Sequence, residues 1–93
     1  MKMVSVENMI SSKGNSVPNQ FIIRKTTHMG VDEYFQSYKS IIAVKSYKGI
    51  FLDKNYWDYS VTTGKYRNLF LNETKKETEA KLKSGEYKFK NLN

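Results

Sequence analysis

The strongest constraint on this chain is a change of periodicity close to residue 60. Before it, apolar residues come in short β-branched and aromatic runs: Phe21-Ile22-Ile23, Tyr34-Phe35, Ile41-Ile42-Ala43-Val44 and Ile50-Phe51-Leu52. Such runs between polar, turn-forming residues read as strands. After it the spacing becomes helical: Thr62, Tyr66, Leu69 and Phe70 gather on one side of a short helix, with Val61, Gly64, Lys65 and Asn68 opposite. Ser60 is suited to cap its N-terminus. Thr74-Lys75-Lys76-Glu77 matches the capping box, in which Thr74 bonds forward to the Glu77 amide and Glu77 reaches back. The second helix then runs from about residue 75 to 84, with Gly85 placed to close it. Glu77 with Lys81 and Glu79 with Lys83 form i,i+4 pairs in the favourable order, and both lysines sit at the negative end of the dipole.

The strand half is less regular. Thr26–Asp32, with Gly30, reads as a turn or loop. From Glu33 to Val44 the chain reads as one strand whose alternation is imperfect. Tyr34, Tyr38, Ile42 and Val44 share one parity; Phe35, Ile41 and Ala43 share the other. Either both faces are covered, or a bulge near Lys39-Ser40 switches them. Ser46-Tyr47-Lys48-Gly49 reads as a hairpin turn with Gly49 at the left-handed position. Tyr87-Lys88-Phe89 alternates as a last short strand.

Residues 1–19 look loosely built. Met3, Val4, Val6, Met9 and Ile10 suit a short strand or one or two helical turns, Ser11–Ser16 is a loop by composition, and Pro18 sets an extended approach. The expectation is therefore one α+β domain over residues 20–93. It comprises a small antiparallel sheet of three to four strands, two short C-terminal helices on one face and a final short strand. Tyr56, Trp57 and Tyr59 are expected to join the layers, since large rings dominate burial.

Composition narrows the chemistry. The chain has 93 residues, room for one core only. At 39% hydrophobic and 14% aromatic residues it is too apolar for a disordered tail. It has no cysteine, which removes thiolate catalysis and sulfur-ligated metal, and its one histidine, His28, cannot form a two-histidine metal site within the chain. No catalytic residue, metal or cofactor is assigned, and an enzyme is not expected. No window approaches eighteen apolar residues, and Met1–Ile10 lacks the apolar stretch of a signal peptide, so a cytoplasmic protein is expected.

Tyr34-Phe35-Gln36-Ser37-Tyr38, then Ile42-Ala43, Leu52-Asp53, Tyr56-Trp57-Asp58-Tyr59-Ser60, Thr62-Thr63, Lys65-Tyr66 and Phe70-Leu71 occur in that order. Leu82, Ser84-Gly85-Glu86-Tyr87 and Leu92-Asn93 follow. Over roughly residues 20–93 this resembles a family of short tailed-bacteriophage proteins that carries no assigned reaction. The resemblance implies work in a bacterial host cytoplasm, in host takeover, gene regulation or counter-defence. It supplies no catalytic residues.

The net charge is +7, with basic residues interleaved with aromatics in both halves of the chain. Lysine and arginine neutralise phosphates, and exposed rings stack on unpaired bases. The leading expectation is association with DNA or RNA through Lys45, Lys48, Lys65, Arg67, Asn68, Lys88 and Lys90. Tyr38, Tyr47 and Tyr66 are candidate stacking or interface residues, and Thr63 is a secondary contact. The C-terminal helices have the spacing of a helix-turn-helix, but Glu73, Glu77 and Glu79 set carboxylates where a phosphate backbone would lie. The alternative is an inhibitor docking on a bacterial defence or transcription protein through the aromatics. A homodimer would use the same residues. Lys13-Gly14-Asn15 and Thr63-Gly64-Lys65 match no phosphate loop.

Overall fold

The computed structural model describes residues 3–93. Five strands come first: β1 (Val4–Ile10), β2 (Ser16–Thr27), β3 (Gly30–Ser37), β4 (Ser40–Ser46) and β5 (Gly49–Asp53). Helices α1 (Val61–Leu71) and α2 (Lys75–Ser84) follow, then β6 (Lys88–Lys90). All six strands form one sheet in sequence order. The first five make an antiparallel meander, and the two helices carry the chain across so that β6 pairs parallel to β5.

The sheet is thus larger than the three to four strands expected, and mixed rather than antiparallel. Three local features account for the difference. Residues 4–19, expected to be loosely built, supply β1 and the start of β2. The ladder of β2 with β3 runs to Thr27 opposite Gly30, so the presumed loop 26–32 shrinks to the turn His28-Met29. The presumed strand 33–44 is two strands joined at Tyr38-Lys39. Tyr38 adopts φ 56° although the turn holds no Gly or Asn. Its N–H donates to the Asn19 carbonyl at 2.7 Å, and the Gln36 side-chain amide donates to its carbonyl at 2.7 Å. A cross-strand bond to Asn19 and a local one from Gln36 therefore hold a conformation that backbone preference disfavours. A bulge exists, but at Ile42: Phe35 faces Ala43 and Gln36 faces Ile41, leaving Ile42 as the extra residue.

Only one face is covered. Met9, Phe35, Ile42, Ala43 and Leu52 pack with Tyr66, Phe70 and Leu71 of α1 and with Tyr87, with Ile22, Ile50 and Leu82 at the margin. The Phe35 and Phe70 rings lie 5.9 Å apart. The buried side of α1 is Thr63, Tyr66, Arg67, Phe70 and Leu71, rotated from the expected face, because Arg67 and Thr63 turn inward while Leu69 and Thr62 are exposed. Thr63 meets Ser37 of β3 through a 3.0 Å hydroxyl pair. Tyr56 and Tyr59 pack edge-on against each other near the surface; of the expected aromatic junction, only Trp57 packs against the core.

The predicted caps form. Ser60 Oγ accepts from the Thr63 amide at 3.1 Å, and both halves of the Thr74–Glu77 box are present. Gly85 closes α2 at φ 87°. Thr74→Ala is expected to cost about 1 kcal/mol by urea denaturation. No measurable change would show that the box does not hold the helix start.

Glu73 differs most from expectation. It does not face solvent: its side chain is 4% exposed and accepts from Thr78 Oγ1 (2.5 Å), Lys81 Nζ (2.7 Å) and Tyr87 Oη (2.8 Å). Lys81 is therefore committed to Glu73, and the expected Glu77–Lys81 pair gives way to the capping box. Burial pushes the Glu73 carboxyl up, but the bonds from Lys81, Thr78 and Tyr87 outweigh it and hold the group below its ordinary range. Asp53 behaves alike: burial raises it, but bonds from the Leu92 amide, the Asn93 side chain and the Asn55 and Tyr56 amides outweigh that and hold it below its ordinary range.

Groups depressed in the folded state stabilise it above their unfolded values and lose that contribution as pH falls through the folded ones. The melting temperature should therefore hold at neutral pH and fall below about pH 4. Glu73→Gln should flatten part of that fall. A melting temperature flat through this acid range would remove these carboxylates from the account.

Candidate functional site

The uncovered face of the sheet follows from the strand register. Val6 faces Ile23, Ile23 faces Tyr34, Tyr34 faces Val44, and Val44 faces Phe51, so one row crosses five strands. None of these residues joins the helix-side core. The neighbouring row sets Asn8, Phe21, Gln36 and Ile41 side by side. Phe21, Tyr34 and Phe51 are half-buried by their neighbours, so each ring keeps an accessible part on this face.

Cations border these rings. Lys88 pairs with Phe51 in the parallel ladder, and Lys90 Nζ lies 5.2 Å from the Phe51 centroid. Lys25 lies on the same face, two residues beyond Ile23, opposite Val4 and Asp32. At one end the face is bounded by the C-terminal residues. The Leu92 amide donates to Asp53 Oδ1 at 2.8 Å. The Asn93 side chain accepts from the Ile41 amide at 2.8 Å and donates to its carbonyl at 2.9 Å.

The residues singled out from the sequence do not form one patch. Lys88 and Lys90 lie on the uncovered face. Lys45 lies on the helix side, where its Nζ donates to the Phe70 carbonyl and sits 4.4 Å above that ring, closing the end of α1. Tyr38 is exposed in the turn at one end of β4, and Tyr47 and Lys48 in the turn at the other. Tyr66 is in the core.

Arg67 is 1% exposed. It donates to the Trp57 carbonyl and Asp58 Oδ1, both at 2.8 Å, and to Asn68 Oδ1 at 3.1 Å, with its guanidinium 5.1 Å from the Trp57 centroid. It fastens the β5–α1 connection and is not free for a phosphate.

Lys65 and Asn68 line a groove of about 1000 Å³ between α1, the start of α2 and Ser12. On its wall, Asp58 bridges Arg67 and Lys75, the latter at 2.6 Å. Burial raises the Asp58 carboxyl, and the Lys75 and Arg67 bonds outweigh it and lower it below the usual range. Arg67 and Lys75 are thus committed to Asp58, while Lys65 in the same groove forms no ion pair among the described residues.

The sheet face carries lysines together with one acidic neighbour, Asp32, opposite Lys25. Glu7, Glu33, Asp58 and Glu73 are engaged in ion pairs, Asp53 in backbone bonds and Glu77 in the α2 cap. Among the described residues, Lys25, Lys88 and Lys90 form no ion pair, and neither do Lys48 and Lys65 away from this face; what sets the three apart is the rings of the face beside them. Sequence reasoning missed Phe21, Tyr34, Phe51 and Lys25 as a group. The signal was present in the period-2 alternation of Phe21, Ile23 and Lys25, but which face stays open depends on where the helices land.

Over residues 4–87 the chain matches the family described as "Family of unknown function (DUF8033)", and it belongs to that family. No curated protein and no solved structure matches it. No helix among the described residues is long and apolar enough to cross a membrane.

Proposed function

We propose that this member of a family of unknown function acts by binding, taking an unpaired DNA or RNA strand on the uncovered face of its sheet. The observation that carries the reading is the set of three rings on that face, Phe21, Tyr34 and Phe51, with Lys25, Lys88 and Lys90 beside them. A base has a π-face whatever its identity, so rings on a sheet can stack successive bases while lysines neutralise the flanking phosphates. A duplex hides its base faces and should bind more weakly. The resemblance to short tailed-bacteriophage proteins supports a bacterial host cytoplasm as the setting, with host takeover or counter-defence as the role.

Titration with single-stranded DNA, RNA and duplex DNA across a salt series tests this. Affinity should fall linearly on a log–log plot. Tyr34→Ala or Phe51→Ala should each cost about 1–3 kcal/mol of binding. Lys88→Gln and Lys90→Gln should each lower the salt slope by about one. Failure to bind any of the three nucleic acids ends the reading. A stoichiometric protein partner that survives nuclease and is lost in the same variants would replace it with the docking-inhibitor alternative.

A further inference from the structure

The two edges of the sheet are built differently. β6 is three residues long and flanks its single apolar side chain with Lys88 and Lys90, a short, charged edge of the kind that resists further pairing. β1 is seven residues long, and Val4–Ile10 contains no lysine and no proline. Its one charge, Glu7, is already held by Arg24, which also binds Glu33 at 2.9 Å. Val4 and Val6 are each 61% exposed and Ile10 is 58% exposed. We infer that β1 is the interface for a second copy of this chain, pairing antiparallel with its own counterpart about a two-fold axis through Val6.

The hydrogen-bonding groups decide the register. The Thr26 amide donates to the Met3 carbonyl at 2.8 Å, so Met3 faces β2 with its backbone groups. Backbone direction alternates along an antiparallel strand. Ser5 and Glu7 therefore also bond toward β2, and Val4, Val6 and Asn8 present N–H and C=O outward.

A two-fold at Val6 sets Val6 against Val6 and Val4 against Asn8 of the other copy. Each is a reciprocal pair, so every outward group of the three residues is satisfied. The axis also places Ser5 opposite Glu7 of the other copy, so no like charges meet. A two-fold at Glu7 would set two carboxylates face to face, which is unfavourable. The Val6 register is isologous, and it joins the apolar rows of the two sheets at their Val6 ends.

The test is independent of nucleic acid. Sedimentation over a dilution series should show a monomer–dimer equilibrium. Val6→Lys, at an exposed position whose N–H does not serve the β2 ladder, should shift that equilibrium to monomer with an unchanged circular dichroism spectrum. The chain has no cysteine, so single replacements report the register directly. Val6→Cys should form a disulfide-linked dimer on mild oxidation, since paired Cα atoms lie about 5.5 Å apart. Val4→Cys should not, because the two Val4 positions fall four residues out of register, on the order of 13 Å.

Monomer mass throughout the series with no Val6→Cys cross-link overturns the inference. Cross-linking of Val4→Cys but not Val6→Cys overturns the register. Loss of the dimer in Val6→Lys with retained binding of single-stranded DNA would separate this interface from the nucleic-acid surface. Failure of all DNA and RNA binding in a protein that still dimerises would end the functional reading alone.

Discussion

Arg67→Ala should destabilise the fold by about 3–5 kcal/mol, the loss typical when one partner of a buried ion pair is removed. The guanidinium is almost completely enclosed. It satisfies the Trp57 carbonyl and Asp58, and its plane packs near the Trp57 ring. Truncation would leave the carbonyl without its donor, take one of two cations from Asp58 and open a cavity beneath Trp57. Lys75 still reaches Asp58, which places the effect on the enclosed side of the network. Arg67→Met keeps much of the volume but none of the bonds and should recover only the packing part. Urea denaturation with circular dichroism checks the series. A loss below about 1 kcal/mol for Arg67→Ala would mean that the side chain contributes no more than an exposed pair does.

Phe35→Ala should have an effect of similar size for a different reason. Phe35 has no exposed surface and sits on β3 beneath Phe70. Replacing a buried phenylalanine with alanine removes its transfer free energy and leaves a cavity, together about 3–5 kcal/mol. Small domains have only about 5–15 kcal/mol in total. For a chain of this length the melting temperature should fall by on the order of 20 °C. The contrasting position is Phe89, half exposed on the short edge strand, where the same substitution should cost far less. Equal losses at the two positions would contradict the placement of the core.

The elements legible in advance were those whose signal is local. Ser60 and Thr74–Glu77 cap their helices because each bond joins residues three apart. The Tyr47-Lys48 turn forms because Gly49 takes a φ of 121° at no steric cost. The Tyr38-Lys39 turn was illegible because its left-handed residue carries a bulky ring and is held by Asn19, far along the chain. The helix face was misplaced because an arginine and a threonine occupy core positions, and a polarity pattern assigns both to solvent. Glu73 looked like a surface carboxylate because its partners, Lys81 and Tyr87, come near it only when the helices turn back toward β6.

The candidate site divides in the same way. Lys88 and Lys90 were named from the basic, aromatic-rich C-terminus, and the strand register sets them beside Phe51. The same interleaving of basic and aromatic residues, Lys65-Tyr66-Arg67-Asn68, points Arg67 to phosphate, and burial overrides it. Order along the chain determined what each residue can do within about one helical turn: where helices start and stop, where one hairpin reverses, and that no thiol is available for chemistry. Tertiary structure decided the rest. It recruited the N-terminal residues as a strand, turned Arg67 and Glu73 inward and left one side of the sheet bare. The physical reason is that burial is a property of the assembled layers, and a strand side chain cannot know which side the helices will cover until the crossover between β5 and β6 is made.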